Sequence, residues 1–574
     1  MSYLDPSVLG PSALHDGAGC VADRNSRTKR LRKSQSHGLL SPLLRLAKDP
    51  VGTLGELRES WTEQGKSEIQ DIGEQRQVLY LRMKHAGTYD DWKAAATELD
   101  HIEGNDQWKV QDDSLEYNVK LLETRLKELD DARLNCDIKR MLFLIRTSLT
   151  RDLGGMGDAQ LYRHSHIGTK ALIERYIESS RRTIESLLEV SAKQKTVQVD
   201  PRQLLEQLLE ARQAFGRSAL LLSGGGTFGM SHIGVVKCLW EQKLLPRIVS
   251  GSSAGSIVCA VLCTKTDAEV PQVLNDFCYG DLSVFINEEE GLLEVAARFL
   301  KHGTVFDISN LTRAMRNLIG DITFQEAYNR TRRILNINVS SASLYELPQL
   351  LNYVTAPNVI IWSAVAASCS VPLVFSAASL LAKDPKTGEH VQWNPSPQRW
   401  IDGSVDSDLP MTRVAEMFNV NHFIVSQVNP HVVPFLDREA IAPYPLNGKN
   451  PSTGSTWLHS VANLAKDEAM HRMHVLAEIG VFPTYLTKLR SVLAQRYSGD
   501  ITILPEISYA QFPRVLQNPT TEFMLDATIS GERATWPKLS MIQNHVAIEI
   551  ALDDAVQQLR ARVVFSPSQV DLRI

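Results

Sequence analysis

The sequence predicts an α/β fold with an α-helical domain in front of it. Two units of strand, small-residue turn and helix follow one another over residues 219–263, an order that is typical of α/β proteins. Before them, residues 55–212 carry apolar side chains at helical spacing among charged ones. The length of 574 residues exceeds one ordinary core. We therefore expect a polar segment (1–54), the helical domain, the α/β domain (213–415) and a C-terminal extension (416–574) that completes the core.

Composition excludes several classes of protein. The formal net charge of −5 argues against a nucleic-acid-binding protein. Seven cysteines without a C-x-x-C pair indicate a reducing compartment and no metal site. The first ten residues have neither a basic start nor an apolar stretch, so we expect no signal peptide and an intracellular protein.

The N-terminal segment carries a basic cluster. Such a cluster attracts anionic lipid headgroups, and phosphorylation of serines next to it would weaken that attraction. A solvated, disordered tail is the more common meaning of such a charge run, and we favour it here. The apolar stretch Leu39–Leu46 is too short to span a bilayer but long enough to dip into an interface. The cluster consists of Arg24, Arg27, Lys29, Arg30, Arg32 and Lys33, with Ser34 and Ser36 after it.

The helical domain has its clearest periodicity at residues 115–129, where leucine and valine recur at helical spacing. Further helices are predicted at 168–192 and 202–214, and Gly154–Gly157 indicates a loop between helices. We interpret the domain as a packing domain without chemistry of its own.

The first strand of the α/β domain, Ala219–Leu222, ends in a run of glycines that opens a helix. Bare backbone amides can approach an oxyanion closely at such a turn. The run also fits a dinucleotide-binding fingerprint, which needs an acidic residue at the end of the next strand. That strand ends in Ser250–Ser253 instead, so we favour an oxyanion loop over a nucleotide site. The run comprises Gly224, Gly225, Gly226, Thr227, Phe228 and Gly229.

The second strand, Ile248–Val249, leads into a nucleophile motif of the form G-x-S-x-G. Gly251 and Gly255 flank Ser253, because the turn from strand to helix is sharp and the helix packs closely on the strand. Ser253 would then expose its hydroxyl at a helix N-terminus. Alone the motif is often only a turn, but the glycine run before it favours a nucleophile.

A carboxylate that could act as the base follows a strand end at Trp400–Ile401. Asp402 precedes Gly403, and an Asp-Gly pair is often no more than a turn. A carboxylate within hydrogen-bond reach of a serine can accept its proton directly if burial makes it basic enough. Asp406 and Asp408 are nearby alternatives, although neither precedes a glycine.

Together, these motifs resemble those of the patatin-like phospholipases over residues 215–415. The resemblance implies a three-layer α/β/α catalytic domain and a Ser–Asp dyad without histidine. Ser253 then corresponds to the nucleophile and Asp402 to the base. The oxyanion loop that the resemblance implies consists of Gly224, Gly225 and Gly226.

The resemblance extends to a further motif and has two departures. The segment Ala366–Pro372 resembles a family motif that lies between nucleophile and base. Many members carry Arg or Lys in the glycine loop, where this chain has Thr227 and Phe228. The aspartate motif continues with Ser404 rather than Gly or Ala. Neither departure removes a catalytic group, and both bear on loop geometry and substrate preference.

A helical domain joined to a patatin-like domain is similar to the fungal triacylglycerol lipases of lipid droplets. The resemblance implies a lipid acyl hydrolase that cleaves esters of triacylglycerol or glycerophospholipid. It implies action at a lipid droplet or as a peripheral membrane protein, for example at the endoplasmic reticulum. It also implies that no metal or organic cofactor is required. We expect a lipid surface and a lipid substrate as partners, and no nucleic acid.

A second pattern, H-x-x-x-x-D, occurs at His302 and Asp307 and is found in glycerolipid acyltransferases. His101 and Asp106 show the same spacing, and a chance match is expected in a chain with 15 histidines. Some lipases that the chain resembles are credited with acyl transfer to lysophospholipids through such a motif. A structural role for both residues is our default, and a bifunctional lipase and lysophospholipid acyltransferase stays an alternative.

Residues 347–382 carry no charged side chain, and their number would permit a transmembrane helix. Pro357 and Pro372 interrupt the stretch, and a span there would separate the nucleophile from the base. We therefore predict a buried strand around Val359–Trp362, followed by a Ser/Ala-rich helix under the site.

Two other functions remain open. An α/β-hydrolase has a Ser–Asp–His triad, and six histidines follow Asp402 in the order that such a triad requires. A lipid-droplet scaffold with a vestigial catalytic centre is the second alternative, and the complete set of catalytic residues argues against it. The six histidines are His422, His431, His459, His471, His474 and His545.

The C-terminal extension is predicted from the same patterns. Strands are expected at 422–426 and 501–504, and helices at 458–478 and 536–562. Residues 432–457 are rich in Pro, Asn and Gly, which predicts a mobile loop.

Overall fold

The fold joins a group of α-helices to a mainly parallel β-sheet, as a computed structural model shows. The structure describes residues 73–111, 116–193, 200–280, 285, 304–341, 349–371, 374–376, 378–393, 400–402, 408–429, 432, 464, 468, 470–473, 475–476, 479, 497–507 and 514–564. Within these residues the strands are β1 (Arg217–Leu222), β2 (Ile248–Gly251), β3 (Ile334–Ser341), β4 (Gln349–Leu351), β5 (Leu381–Lys383), β6 (His390–Gln392), β7 (Trp400–Asp402), β8 (Val420–Ser426) and β9 (Ile501–Ile503).

The α-helices of the described residues divide into those before β1 and those after it. Those before it are α1 (73–85), α2 (Tyr89–Glu103), α3 (Asn105–Val110), α4 (Val119–Leu134), α5 (Ile138–Ser148), α6 (Ala171–Lys193) and α7 (Pro201–Phe215). Those after it are α8 (Ser231–Glu241), α9 (Ala254–Thr264), α10 (Val270–Asp276), α11 (Ile308–Ile319), α12 (Phe324–Thr331), α13 (Ile361–Ser368), α14 (Met411–Phe418), α15 (Thr521–Thr535) and α16 (Leu539–Val564).

The helical segment packs around an apolar core of its own. Helix α4 starts behind Asn118, whose side chain accepts the Leu121 N–H at 3.1 Å. Leu122, Leu126 and Leu129, which carry the predicted periodicity, are buried in that core. The sequence therefore identified the helix and its buried face, whereas the cap sets its first residue.

Helix α16 belongs to the C-terminal extension but completes two cores. Leu552 and Val556 pack with apolar residues of α6 and α7, and Ile542 packs in the core beside the sheet. Residues from Glu74 onward form one compact unit. The segment boundaries at residues 55, 213 and 416 stay predictions.

The main sheet has seven strands among the described residues, in the order β4-β3-β2-β1-β8-β9, with β7 paired to β3 outside this path. Strands β1, β2, β3, β8 and β9 are parallel, whereas β4 and β7 run antiparallel to β3. The parallel strands therefore end at one edge of the sheet, where the turns after β1 and β2 begin.

Alternating side chains of β1 face two different layers. Leu220 and Leu222 belong to the core that includes residues of α8, α9 and α13. Ala219 and Leu221 belong to the core that includes Val414 of α14. Helices thus cover both faces of the sheet, and the predicted three-layer α/β/α class with a helical N-terminal segment is confirmed.

The uncharged stretch at 347–382 folds into the α/β domain. The predicted Ser/Ala-rich helix is confirmed as α13, and all its residues are buried. The strand expected around Val359–Trp362 is wrong: Val359 and Ile360 form isolated bridges, and α13 begins at Ile361, directly after its cap Ile360. Within the part of the chain that is described, no helix has both the length and the apolar character needed to cross a bilayer.

Several predictions fall on residues that the structure does not describe. The basic cluster at 24–33, the stretch Leu39–Leu46 and the loop at 432–457, apart from Val432, lie outside the described residues. Within 458–478, the described residues are helical, as predicted. Strands β8 and β9 and helix α16 confirm the other elements expected in the extension.

Candidate active site

The nucleophile motif forms the turn between β2 and α9. Ser253 has φ 49° and ψ −124°, a strained conformation for a residue other than glycine. A Cβ added at Gly251 would lie 2.5 Å from the Gly255 backbone, and one at Gly255 would overlap the Leu222 carbonyl. The flanking glycines are therefore required by close packing, and the turn holds Ser253 at the N-terminus of α9.

The C-terminal end of α13 contacts both predicted catalytic residues. The Ser253 N–H donates to Ser368 Oγ at 3.0 Å, and the Ser368 hydroxyl donates to the Asn338 carbonyl at 2.8 Å. The Asp402 N–H donates to the Ser370 carbonyl at 3.0 Å. Ser368 and Ser370, which belong to the motif identified from the sequence, thus fix the nucleophile turn and the aspartate to the same helix end.

Asp402 is brought to the site by strand β7. The antiparallel pairing of β7 with β3 places Asp402 opposite Val339. Its carboxyl is fully buried and lines the same cavity as Ser253. Gly403 lies outside the described residues.

The glycine run differs from the prediction in its first residue. Gly225 and Gly226 line the cavity beside Ser253, and Gly226 has φ 59°, which favours glycine. The Gly224 N–H instead donates to Asp408 Oδ1 at 2.7 Å. Because that amide is already engaged, the assignment of Gly224 as an oxyanion donor is corrected: it anchors the loop.

The remaining glycine of the run permits close helix packing. Residues Gly226–Met230 form a 3₁₀ turn that leads into α8. A Cβ at Gly229 would overlap the Cβ of Ala254, the residue that follows the nucleophile. The turn therefore lies directly against the start of α9.

Asp408 holds the glycine run and the nucleophile turn together. Its Oδ2 accepts from the Asn429 side chain at 2.9 Å, and its carbonyl accepts the Ser252 hydroxyl at 2.7 Å. Burial raises the pKa of Asp408 to about 7, an effect that the Gly224 hydrogen bond opposes and the charge of Asp402 reinforces. The sequence offers Asp408 only as an alternative base, whereas these contacts give it a positioning role.

His232 fixes the other side of the loop and was not singled out from the sequence. Its Nδ1 lies 2.8 Å from Ser426 Oγ and its Nε2 lies 2.9 Å from the Ser223 carbonyl oxygen. Since a carbonyl only accepts, Nε2 carries the proton. Burial lowers the pKa of His232 to about 4, so the ring is neutral. The sequence signal for His232 is its position: it lies three residues after Gly229, on a helix face that is otherwise apolar.

The cavity beside the dyad is apolar and has a volume of about 170 Å³. Burial raises the pKa of Cys369, which lies in its wall, and the charge of Asp402 raises it further. Three of its residues come from the C-terminal extension, which the motifs did not predict. Apolar residues that line the cavity include Met230, Ile257, Phe285, Leu311, Val374, Phe375, Val515, Leu516 and Pro519.

The acyltransferase-type pattern receives no support as a site. Asp307 is exposed and caps α11, where its Oδ1 accepts the Ser309 N–H at 3.0 Å. His302 lies outside the described residues. The matching pair His101 and Asp106 lies at the surface, 3.2 Å apart. The helix cap agrees with a structural role for Asp307, which stays the expectation, and the bifunctional alternative stays a prediction.

The candidate triad histidines that the structure describes lie away from Ser253. His422 Nδ1 is 3.2 Å from Ser218 Oγ, and its Nε2 is 3.0 Å from His545 Nδ1, near the start of β1 and β8. Ser253 instead lies beyond the C-terminal end of β2, at the opposite end of the parallel strands. His471 is exposed, and the other three candidate histidines lie outside the described residues. Among the described residues, therefore, no histidine that follows Asp402 in the chain contacts the nucleophile turn.

Comparison with known families covers most of the chain. The family described as patatin-like phospholipase matches residues 220–415. A domain of unknown function, DUF3336, matches residues 69–213.

Curated relatives extend the similarity across both regions. Triacylglycerol lipase 4 of Saccharomyces cerevisiae is 45% identical over 84% of this chain and 53% of its own length. Triacylglycerol lipase 5 of the same yeast is 42% identical, over 85% of this chain and 66% of its own length. The chain thus spans little more than half of the first relative and about two thirds of the second. Triacylglycerol lipase ptl3 of Schizosaccharomyces pombe is 42% identical over 84% of this chain and 98% of its own length. The resemblance inferred from the motifs is confirmed: the chain belongs to the patatin-like phospholipase family, with the fungal triacylglycerol lipases among its relatives.

Proposed function

We propose that this protein is a lipid acyl hydrolase in which Ser253 and Asp402 form the catalytic dyad. One observation carries the proposal: Ser253, on the strained nucleophile turn, and the buried carboxyl of Asp402 line the same apolar cavity. The backbone of Gly225 and Gly226 lines that cavity as well. Nucleophile, base and oxyanion donors are the three parts that ester hydrolysis needs.

In the proposed mechanism, the Ser253 hydroxyl oxygen attacks the ester carbonyl carbon while Asp402 accepts the hydroxyl proton. The carbonyl oxygen becomes an oxyanion beside the Gly225 and Gly226 backbone. Each well-placed amide there supplies about 3–4 kcal/mol of transition-state stabilisation. Asp402 then returns the proton to the leaving alcohol. Water then attacks the acyl-enzyme and gives a proton to Asp402. The fatty acid leaves as Asp402 returns that proton to the Ser253 oxygen.

The apolar cavity favours an acyl chain as the group that enters with the ester. A hydrocarbon chain gains about 0.8 kcal/mol for each buried methylene, whereas a polar substituent would lose its hydration. Relatives of the chain carry the name triacylglycerol lipase. We therefore propose long-chain acylglycerol or glycerophospholipid as the substrate class, met at a lipid surface. A lipid droplet or a peripheral membrane stays the predicted site of action.

A fluorophosphonate probe tests the proposal directly. The wild-type protein should be labelled at Ser253, and Ser253→Ala should abolish labelling while the protein stays folded. Hydrolysis of p-nitrophenyl butyrate should fall at least about a thousandfold in Ser253→Ala. Trioleoylglycerol emulsions and phosphatidylcholine vesicles would identify the preferred lipid. A folded wild-type protein that does not react with the probe would instead support a vestigial centre.

Asp402→Asn separates the dyad from other bases. The substitution is nearly isosteric but removes the proton acceptor, so activity should fall almost as far as in Ser253→Ala. The double variant should be little worse than either single one, because the two residues act as a unit. A variant that keeps more than about a tenth of wild-type activity would show that the base has been misassigned.

A further inference from the structure

One wall of the cavity comes from beyond the matched patatin-like segment. Val515, Leu516 and Pro519 line the cavity together with Ser253. They belong to residues 514–519, which come shortly before helix α15, and we call this stretch the 514–519 wall. A group bound next to the nucleophile therefore contacts the C-terminal extension as well as the catalytic domain.

The 514–519 wall is fastened to the glycine loop by Thr227. The Thr227 hydroxyl lies 3.1 Å from the Val515 carbonyl oxygen and 2.8 Å from that of Gln517, so one proton serves both acceptors. Thr227 is itself buried. A Cβ added at Gly226 would lie 2.5 Å from the Val515 carbonyl oxygen. The wall and the proposed oxyanion loop are thus in direct contact, and a shift in one displaces the other.

A second hydrogen bond ties the wall to an aromatic cluster of the cavity. Asn518 Oδ1 accepts the Phe285 N–H at 2.8 Å. The Phe285 ring packs edge-on against Phe306, with centroids 5.4 Å apart, and lies 5.8 Å from the ring of Phe375. Phe285 and Phe375 also line the cavity. An acyl chain that fills this space contacts both the aromatic cluster and Leu516.

We propose that the 514–519 wall selects the acyl chain, with Leu516 as the specificity-determining side chain and Thr227 as the residue that positions it. The inference rests on the proposed function, because it concerns the acyl group that Ser253 would accept. Leu516 is 37% exposed whereas Phe285 and Phe375 are buried, so Leu516 stands where the cavity opens to solvent. Changing its size alters the length of chain that can be buried.

The test compares Leu516→Ala with Leu516→Trp on p-nitrophenyl esters from butyrate to palmitate. Each methylene that gains or loses a buried position changes kcat/KM about four-fold. Leu516→Ala should therefore raise the ratio of long-chain to butyrate kcat/KM at least about four-fold, and Leu516→Trp should lower it. Leu525→Ala is the matched control, because Leu525 is 38% exposed and does not line the cavity. Unchanged ratios in both Leu516 variants would overturn the inference.

The positioning role is tested by removing only the Thr227 hydroxyl. Thr227→Val keeps the volume and loses both hydrogen bonds, so its chain-length ratio should move in the direction of Leu516→Ala. Thr227→Ser keeps the hydroxyl and should restore the wild-type ratio. Equal ratios in Thr227→Val, Thr227→Ser and wild type would show that the hydroxyl does not position the wall.

A binding measurement keeps this inference separate from the proposed hydrolysis. In Ser253→Ala, cis-parinaric acid should bind in the cavity, and saturated fatty acids of increasing length should displace it. The most effective length should change with Leu516→Ala and Leu516→Trp. A shifted binding profile without hydrolysis by wild type would support the wall and refute the hydrolase. Hydrolysis with an unshifted profile would refute the wall alone.

Discussion

The buried carboxyl of Asp408 predicts how stability depends on pH. Burial raises its pKa from 3.8 to about 7, and the Gly224 hydrogen bond offsets only part of this rise. In the unfolded chain the carboxyl ionises near pH 4, so between pH 4 and 7 the native state keeps a proton that the unfolded state has lost. The contribution of Asp408 to stability is therefore complete below about pH 4 and is lost as the pH rises through about 7.

Asp408→Asn removes this titration and keeps a side-chain oxygen for the Gly224 amide. A rise of about three pKa units corresponds to about 4 kcal/mol, of which about 2 kcal/mol is lost between pH 5.5 and 8. Relative to the variant, the wild type should thus lose about 2 kcal/mol of unfolding free energy over that interval. Urea unfolding of both proteins at both pH values measures this difference. The contributions of the carboxylates that the two proteins share cancel in the comparison. A difference that does not change with pH would refute the reasoning.

Two further predictions follow from buried contacts. His422→Ala removes a partner of Ser218 and should lower the unfolding free energy by about 1–3 kcal/mol, while p-nitrophenyl butyrate hydrolysis per folded molecule stays nearly constant. A thousandfold loss of activity in that folded variant would favour a triad. Gly255→Ala forces a Cβ onto the Leu222 carbonyl, so it should either lower the melting temperature strongly or open the elbow and abolish fluorophosphonate labelling at Ser253. A variant as stable and as reactive as wild type would show that the elbow tolerates a side chain there.

The parts of the site that can be predicted from the sequence are those that depend on residues close together in the chain. A nucleophile turn needs small residues on either side of Ser253 because Cβ atoms there would meet backbone within a few residues or on the adjacent strand. A glycine run needs bare backbone over a single turn. Such constraints appear as short motifs, so Gly251, Gly255 and Gly226 were recognisable before their neighbours in space were known.

Contacts between distant residues could not be predicted in the same way. The Gly224 amide binds Asp408 across 184 residues, and the Thr227 hydroxyl binds the 514–519 wall across 288 and 290 residues. Nothing in the sequence near either acceptor indicates its partner, because backbone carbonyls and single carboxylates are common. The sequence therefore predicted Gly224 as an oxyanion donor, and only the tertiary structure shows that its N–H is already used.

The pairing of β8 with β1 has a consequence for isolated pieces of this protein. Strand β1 carries the glycine run at its end, and its neighbour β8 begins at Val420, after the matched segment 220–415 has ended. A fragment limited to that segment would leave the remainder of β1 as an open edge with unpaired backbone groups. Open edges of this kind recruit other strands and promote aggregation. The matched segment 220–415 is therefore shorter than the smallest piece that could remain soluble.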